Sequence, residues 1–239
     1  MPAVAAEPVD SGLYHYRLNG QDTAIEERWQ RYRHASGAWQ VSSSRRAPGL
    51  DLRVEAQYSA GLVSRFDVAW RQQGGPQLRA GYELAADRVA VSRCLAPQPA
   101  SSEDLVFARH APPLLFPLMR IFTGPLIAAL LRAGGRGAVV LPFIADPTDY
   151  SRLLRPVLSE REARVLEEGA KLELDGARLQ CRRCEYLGDQ YGPDARFWLG
   201  FDDLLLRYQW QQSAQQHWDV CLQRDSEFFA AEGAGAAPD

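Results

Sequence analysis

The chain holds a single lysine. Its 27 basic residues are Lys171 and otherwise arginines, so a Schiff base or a phosphate-loop lysine would have to be Lys171 itself. Four cysteines, Cys94, Cys181, Cys184 and Cys221, are too few to staple 239 residues, which argues for free thiols in a reducing compartment. The histidines His15, His34, His110 and His217 form no HExxH or HxH pair. No G-x-S-x-G elbow is present, and Gly134-Gly135-Arg136-Gly137 lacks the Lys-Ser/Thr that follows a phosphate loop. Metal, nucleophile-elbow and nucleotide chemistry therefore have no motif to stand on, and no cofactor and no metal are expected.

Long apolar runs are also missing. The strongest, from Leu114 to Ile144, is interrupted by Pro117, Arg120, Pro125, Arg132, Arg136 and Pro142, and its longest charge-free stretch falls short of the ~20 residues that span a bilayer. Residues 1–12 contain Glu7, Pro8 and Asp10 and no cationic stretch leading into an apolar one, unlike a secretory signal. A cytoplasmic protein with no transmembrane segment is the expectation. The net charge of −3 supplies no basic surface for nucleic acid, while 46% hydrophobic and 10% aromatic residues are enough for a folded core.

What is there is alternation of period two. Segments 13–19, 25–34, 38–45, 50–59, 62–71, 77–84 and 88–95 read as strands, separated by turn signals such as Asn19-Gly20, Pro48-Gly49 and Ala60-Gly61. Pro97 to Ser102 reads as a connector. The stretch 111–131 is rich in Leu, Ile and Phe but broken by prolines, which fits short helices, one of them starting near Pro125. A strand at 138–144 follows, and Asp146-Pro147 predicts a brief capped helix through Leu154. Alternation resumes at 162–174, 178–187, 195–201, 204–211 and 216–224, with Asp175-Gly176 as a hairpin signal. Residues 162–174 could instead be helical, since Glu, Arg, Leu and Ala all tolerate helix. The expected fold is mainly β: a large curled antiparallel sheet, or half-barrel, with a central apolar helical insert. One domain spanning 1–239 would comprise a first β-meander (13–95), the insert (96–155), a second β-meander (160–225) and a frayed tail (229–239).

Strands, a central helical plug and more strands in that order resemble the half-barrel architecture of the lipoprotein carriers and receptors LolA and LolB, of the violacein-pathway protein VioE, and of bacterial proteins of the glycolipid-binding type. The resemblance lies in the order of elements, with no motif matched position by position, and it assigns no functional residue. It implies a concave face that accommodates a lipid or a flat apolar molecule, in VioE without a cofactor.

Cys181-Arg-Arg-Cys184 has CxxC spacing, but on an extended strand positions three apart face opposite ways, so it reads as structural. The alternating strands show one apolar face and one that mixes Arg, Glu, Asp, Gln and Tyr. Either the mixed face is solvated and its ion pairs are cross-strand ladders, or part of it lines a pocket where Arg and Tyr hold the polar end of an apolar ligand. On the second reading Arg28, Arg65, Arg207, Tyr191, Glu26 and Asp67 are candidate ligand-binding residues. Tyr208 and Asp219 are then candidate catalytic groups, Asp219 because a carboxylate beside Trp218 is expected to have a raised pKa. The expected function is binding of an apolar or amphipathic small molecule, a lipid or an aromatic metabolite. A cofactor-independent enzyme of rearrangement or cyclisation on the same scaffold is the alternative, and a partner in a larger assembly, a homodimer included, is a third reading.

Overall fold

In the computed structural model, residues 7–108, 110–174, 176–188 and 191–224 are described. The 229–239 tail, Asp175 of the hairpin signal and part of the loop before Tyr191 lie outside them. The strands are β1 (Glu7–Leu18), β2 (Gln21–Arg33), β3 (Trp39–Ala47), β4 (Leu50–Ser59), β5 (Leu62–Gln72), β6 (Gln77–Leu84), β7 (Arg88–Leu95) and β8 (Ser101–Val106). The short β9 (Leu114–Leu115), a 3-10 turn (Arg120–Phe122), helix α1 (Thr123–Arg132) and β10 (Arg136–Pro142) follow. The chain then returns as β11 (Pro156–Leu174), β12 (Ala177–Leu187), β13 (Arg196–Leu199), β14 (Leu205–Ser213) and β15 (Gln216–Arg224).

All fifteen strands belong to one sheet, in the order β8-β7-β6-β5-β4-β3-β2-β1-β15-β14-β13-β12-β11-β10-β9. Neighbours are antiparallel except β9 and β10. The two meanders join where β1 pairs with β15, from Gly12 opposite Arg224 to Leu18 opposite Trp218. The outer strands do not pair with each other, so the sheet is a large mainly-β half-barrel and not a closed barrel, although β9 lies against β5.

Hairpin geometry places the turns where the sequence signals put them, although β1 and β11 begin six residues, and β2 four residues, before the expected 13, 162 and 25. Asn19 (φ 52°) with Gly20 (φ 78°), and Ala60 (φ 51°) with Gly61 (φ 78°), place two successive residues in the left-handed region, the turn whose twist matches paired strands. The insert differs from expectation in two places. Ser101 begins β8, so the connector is shorter than its composition suggests. The brief helix after Asp146 is instead a series of turns, because the Asp146 carboxylate accepts from the Thr148 backbone and hydroxyl and holds the chain locally.

The sheet curls around the insert. On its inner face Tyr14, Trp29, Val54, Phe66, Leu78, Tyr82 and Val89 are buried, and they enclose Ile121, Phe122, Ile127 and Leu130 of the 3-10 turn and α1. Burying a side chain of this kind contributes about 1.5–3 kcal/mol, so the insert supplies much of the apolar surface that the inner face needs. Inner-face polar groups also clamp the insert's backbone. Leu118 (φ 68°) and Leu154 (φ 61°) both sit in the left-handed region. The Leu118 carbonyl accepts from Arg45 Nη2 at 2.9 Å, and the Leu154 carbonyl from the Tyr82 hydroxyl at 2.6 Å. A left-handed leucine costs about 1–2 kcal/mol, and these bonds hold it in place.

Candidate functional site

Because the apolar face turns inward, the mixed polar face is the outer one. Glu26 and Arg28 on β2 are about half exposed and 3.6 Å apart. On β5, Arg65 stands 3.6 Å from Asp67 and 3.9 Å from Glu83 of β6, again in solvent. All five are solvated, the first two pairs running along one strand each and Arg65–Glu83 bridging β5 and β6. Arg207 on β14 and Asp219 on β15 form a tighter outer pair, with Nε to Oδ1 at 2.7 Å and Nη2 to Oδ2 at 2.5 Å, and Trp198 beneath the guanidinium. Burial pushes the Asp219 carboxyl up, but the Arg207 hydrogen bonds and charge outweigh it and hold it below the usual carboxylate range. The raised value expected from neighbouring aromatics is not found.

Tyr208 faces the other way. It pairs in register with Val220, its ring is buried, and it lies on the opposite face of the sheet from Asp219. On the inner face, Tyr191 and Tyr208 are the residues singled out by sequence that come together. Their rings meet edge to face at 6.4 Å within a group that includes Tyr186, Phe197 and Trp210. Burial pushes the Tyr186 and Tyr208 phenols well above their ordinary range.

Beside these rings lies a charged cluster. Glu27 is fully buried on the inner face of β2. Its Oε2 accepts from the Tyr16 hydroxyl (2.8 Å) and from Arg45 Nε (2.9 Å) and Nη2 (2.6 Å), and its Oε1 accepts from the Arg120 backbone N–H. The Arg120 side chain donates Nη1 to the Tyr191 hydroxyl at 2.8 Å and rests 4.6 Å above the Tyr208 ring. Glu27 and Arg45 are charges on the apolar parity of their strands, in phase with Trp29 and with Val41. That phase was the signal by which they could have been found. Arg120 carries no such signal in a proline-broken segment.

A cleft of about 260 Å³ opens between the sheet, α1 and the β13–β14 loop. Val41, Tyr58, Ile121, Pro125 and Leu204 form its apolar walls, and Arg31, Arg132, Asp202 and Asp203 its lip. Arg31 is tied to Asp10, with Nε to Oδ1 at 2.6 Å, and Arg132 Nη1 donates to Asp203 at 3.0 Å. Gly124 precedes Pro125 of the cleft wall, and a Cβ on it would stand 2.1 Å from the Asp203 carbonyl oxygen and 2.7 Å from the Leu205 nitrogen. Only glycine lets the first turn of α1 approach the loop so closely.

Among the described residues, no group of three or more His, Cys, Asp or Glu is placed to hold a metal, and no helix is long and apolar enough to cross a membrane. No protein-family model and no curated protein matches the sequence. A solved structure does match in fold: a β-barrel-like protein of the domain of unknown function DUF1849 from Brucella abortus. It has a TM-score of 0.51 and 12% identity, over 92% of this chain and 99% of that one. Nearly end-to-end coverage at that identity is a likeness of architecture, a β-barrel-like sheet, and of nothing finer.

Proposed function

We propose that the protein binds a small amphipathic molecule in the cleft between the inner face of the half-barrel and α1. The observation that carries this reading is the cleft itself, an apolar chamber with a charged lip. Its volume lies just under the roughly 300–1,000 Å³ of drug-sized sites, which favours a flat aromatic metabolite or one end of an acyl chain over a whole diacyl lipid. Equal numbers of arginines and aspartates on the lip favour an uncharged or zwitterionic polar end. The unbroken fifteen-stranded sheet supports reading the chain as one folding unit.

Native mass spectrometry of freshly purified protein tests for a retained small molecule. Titration with the dye 1-anilinonaphthalene-8-sulfonate then localises it. Val41→Trp fills the cleft and is expected to abolish dye binding and ligand retention. Undiminished binding by a folded Val41→Trp protein would sink the proposal.

A further inference from the structure

The charged groups of the cleft are matched with one another. Arg31 gives Nε and Nη2 to the Asp10 carboxylate, and Asp203 takes Arg132 Nη1 on one oxygen and Arg182 Nη2 on the other. Such a lip has little call for a ligand of net charge. Two uncharged donors of the cleft wall are uncommitted: among the described residues no hydrogen bond is found for the Tyr58 hydroxyl or the Trp39 indole N–H. The inner-face hydroxyls of Tyr14, Tyr16 and Tyr82, by contrast, are all spent on acceptors within the fold.

Tyr58 also marks where the apolar space runs out. It stands opposite Trp39 in the β3–β4 ladder, which sets two aromatic side chains side by side, and Phe122 stacks on its ring with centroids 6.1 Å apart. Tyr58, Gly61 and Pro125 are shared with a neighbouring recess of only about 20 Å³, enclosed by Leu62, Leu115 and Leu126, with room for about one water. A long chain therefore has no continuation past the ring, whereas a compact flat ring system suits the cleft. Burial pushes the Tyr58 phenol up against the pull of the Arg31 charge, so the hydroxyl keeps its hydrogen at physiological pH. The Trp39 N–H can only donate, so an acceptor on the ligand suits both groups. Resting on the cleft as the binding site, we propose that the Tyr58 hydroxyl is its specificity-determining group, donating a hydrogen bond to the carbonyl oxygen of an uncharged, flat aromatic ligand.

The probe is prodan, an uncharged naphthalene ketone whose emission moves to longer wavelength when its carbonyl accepts a hydrogen bond, compared with the same dimethylaminonaphthalene lacking the ketone. Fluorescence titration of the full chain reads affinity and emission together. Wild type is expected to bind prodan more tightly than the ketone-free analogue. Tyr58→Phe keeps the ring on Phe122; it should weaken prodan about three- to tenfold and shift its bound emission to shorter wavelength, with the analogue unchanged. Unchanged affinity and emission in Tyr58→Phe, equal binding of the two probes by wild type, or no prodan binding at all would each overturn the assignment. Those outcomes leave the cleft reading standing if Val41→Trp still abolishes anilinonaphthalenesulfonate binding. Undiminished binding of both prodan and that dye by Val41→Trp would overturn the two readings together. If Tyr58→Phe does not fold, the wild-type comparison of the two probes decides.

Discussion

The two faces of this sheet use the same residue types under different physical conditions. On the outside, Arg28 with Glu26 and Arg65 with Asp67 meet at 3.6 Å with half of each side chain in water. On the inside, Arg45 meets Glu27 at 2.6 Å with the carboxylate wholly out of water. The outer pairs are screened and replaceable. The inner pair is held in low dielectric with every oxygen committed, and removing one partner strands the other. It also fixes geometry, since Glu27 and Arg45 bond the backbone of the insert at Arg120 and Leu118.

The largest break in this contrast is Glu27→Ala, which strands the Arg45 guanidinium without its carboxylate and the Arg120 backbone N–H without its acceptor. A loss of about 3–5 kcal/mol in denaturant unfolding is expected; a loss below about 1 kcal/mol would erase the distinction between the faces. Gly124→Ala follows at about 1–3 kcal/mol, because its methyl group collides with the β13–β14 loop backbone and must push α1 outward. The same variant should enlarge the cleft and alter dye affinity, which calorimetry and fluorescence can read together.

An intermediate effect belongs to the outer pair that is most shielded. The Asp219 carboxyl is held below its ordinary value in the folded state, so its contribution is present above the unfolded carboxylate pKa and is lost as pH falls through the lowered one. Asp219→Asn is expected to flatten the acid limb of the stability–pH profile; an unchanged slope would show that Arg207 does little there. Arg65→Ala is the smallest, within about 0.5 kcal/mol of wild type, with no change in dye binding.

Much of the fold was legible because alternation and hairpin turns are local properties. β4, β6 and β7 have the bounds their residue patterns predict. β8 was hidden because Ser101-Ser102-Glu103-Asp104 is an edge segment with little to bury, so no apolar parity marks it. The direction of curl is not a local property. Period two divides a strand into faces without saying which becomes concave, and that choice follows from where the apolar insert can hide. Hence Arg28, Arg65, Arg207, Glu26 and Asp67 share the outer face, whereas Glu27 and Arg45, polar intruders on the apolar parity, mark the interior. Tyr191 was legible as a candidate from its residue type; its meeting with Arg120 depends on packing between the second meander and the insert.

The seam between β1 and β15 sets a clock. His15 and Gln223, which touch across it, are 208 positions apart in the chain. At ribosomal rates of roughly 5–20 residues per second, β1 waits about 10–40 s as an open edge before its partner exists. The first meander must survive that interval with the inner face of β1 uncovered, and closing so long a loop makes slow, late completion of the sheet the expected course. Holding that edge against other chains during synthesis is thus a demand on the cell as much as on the sequence.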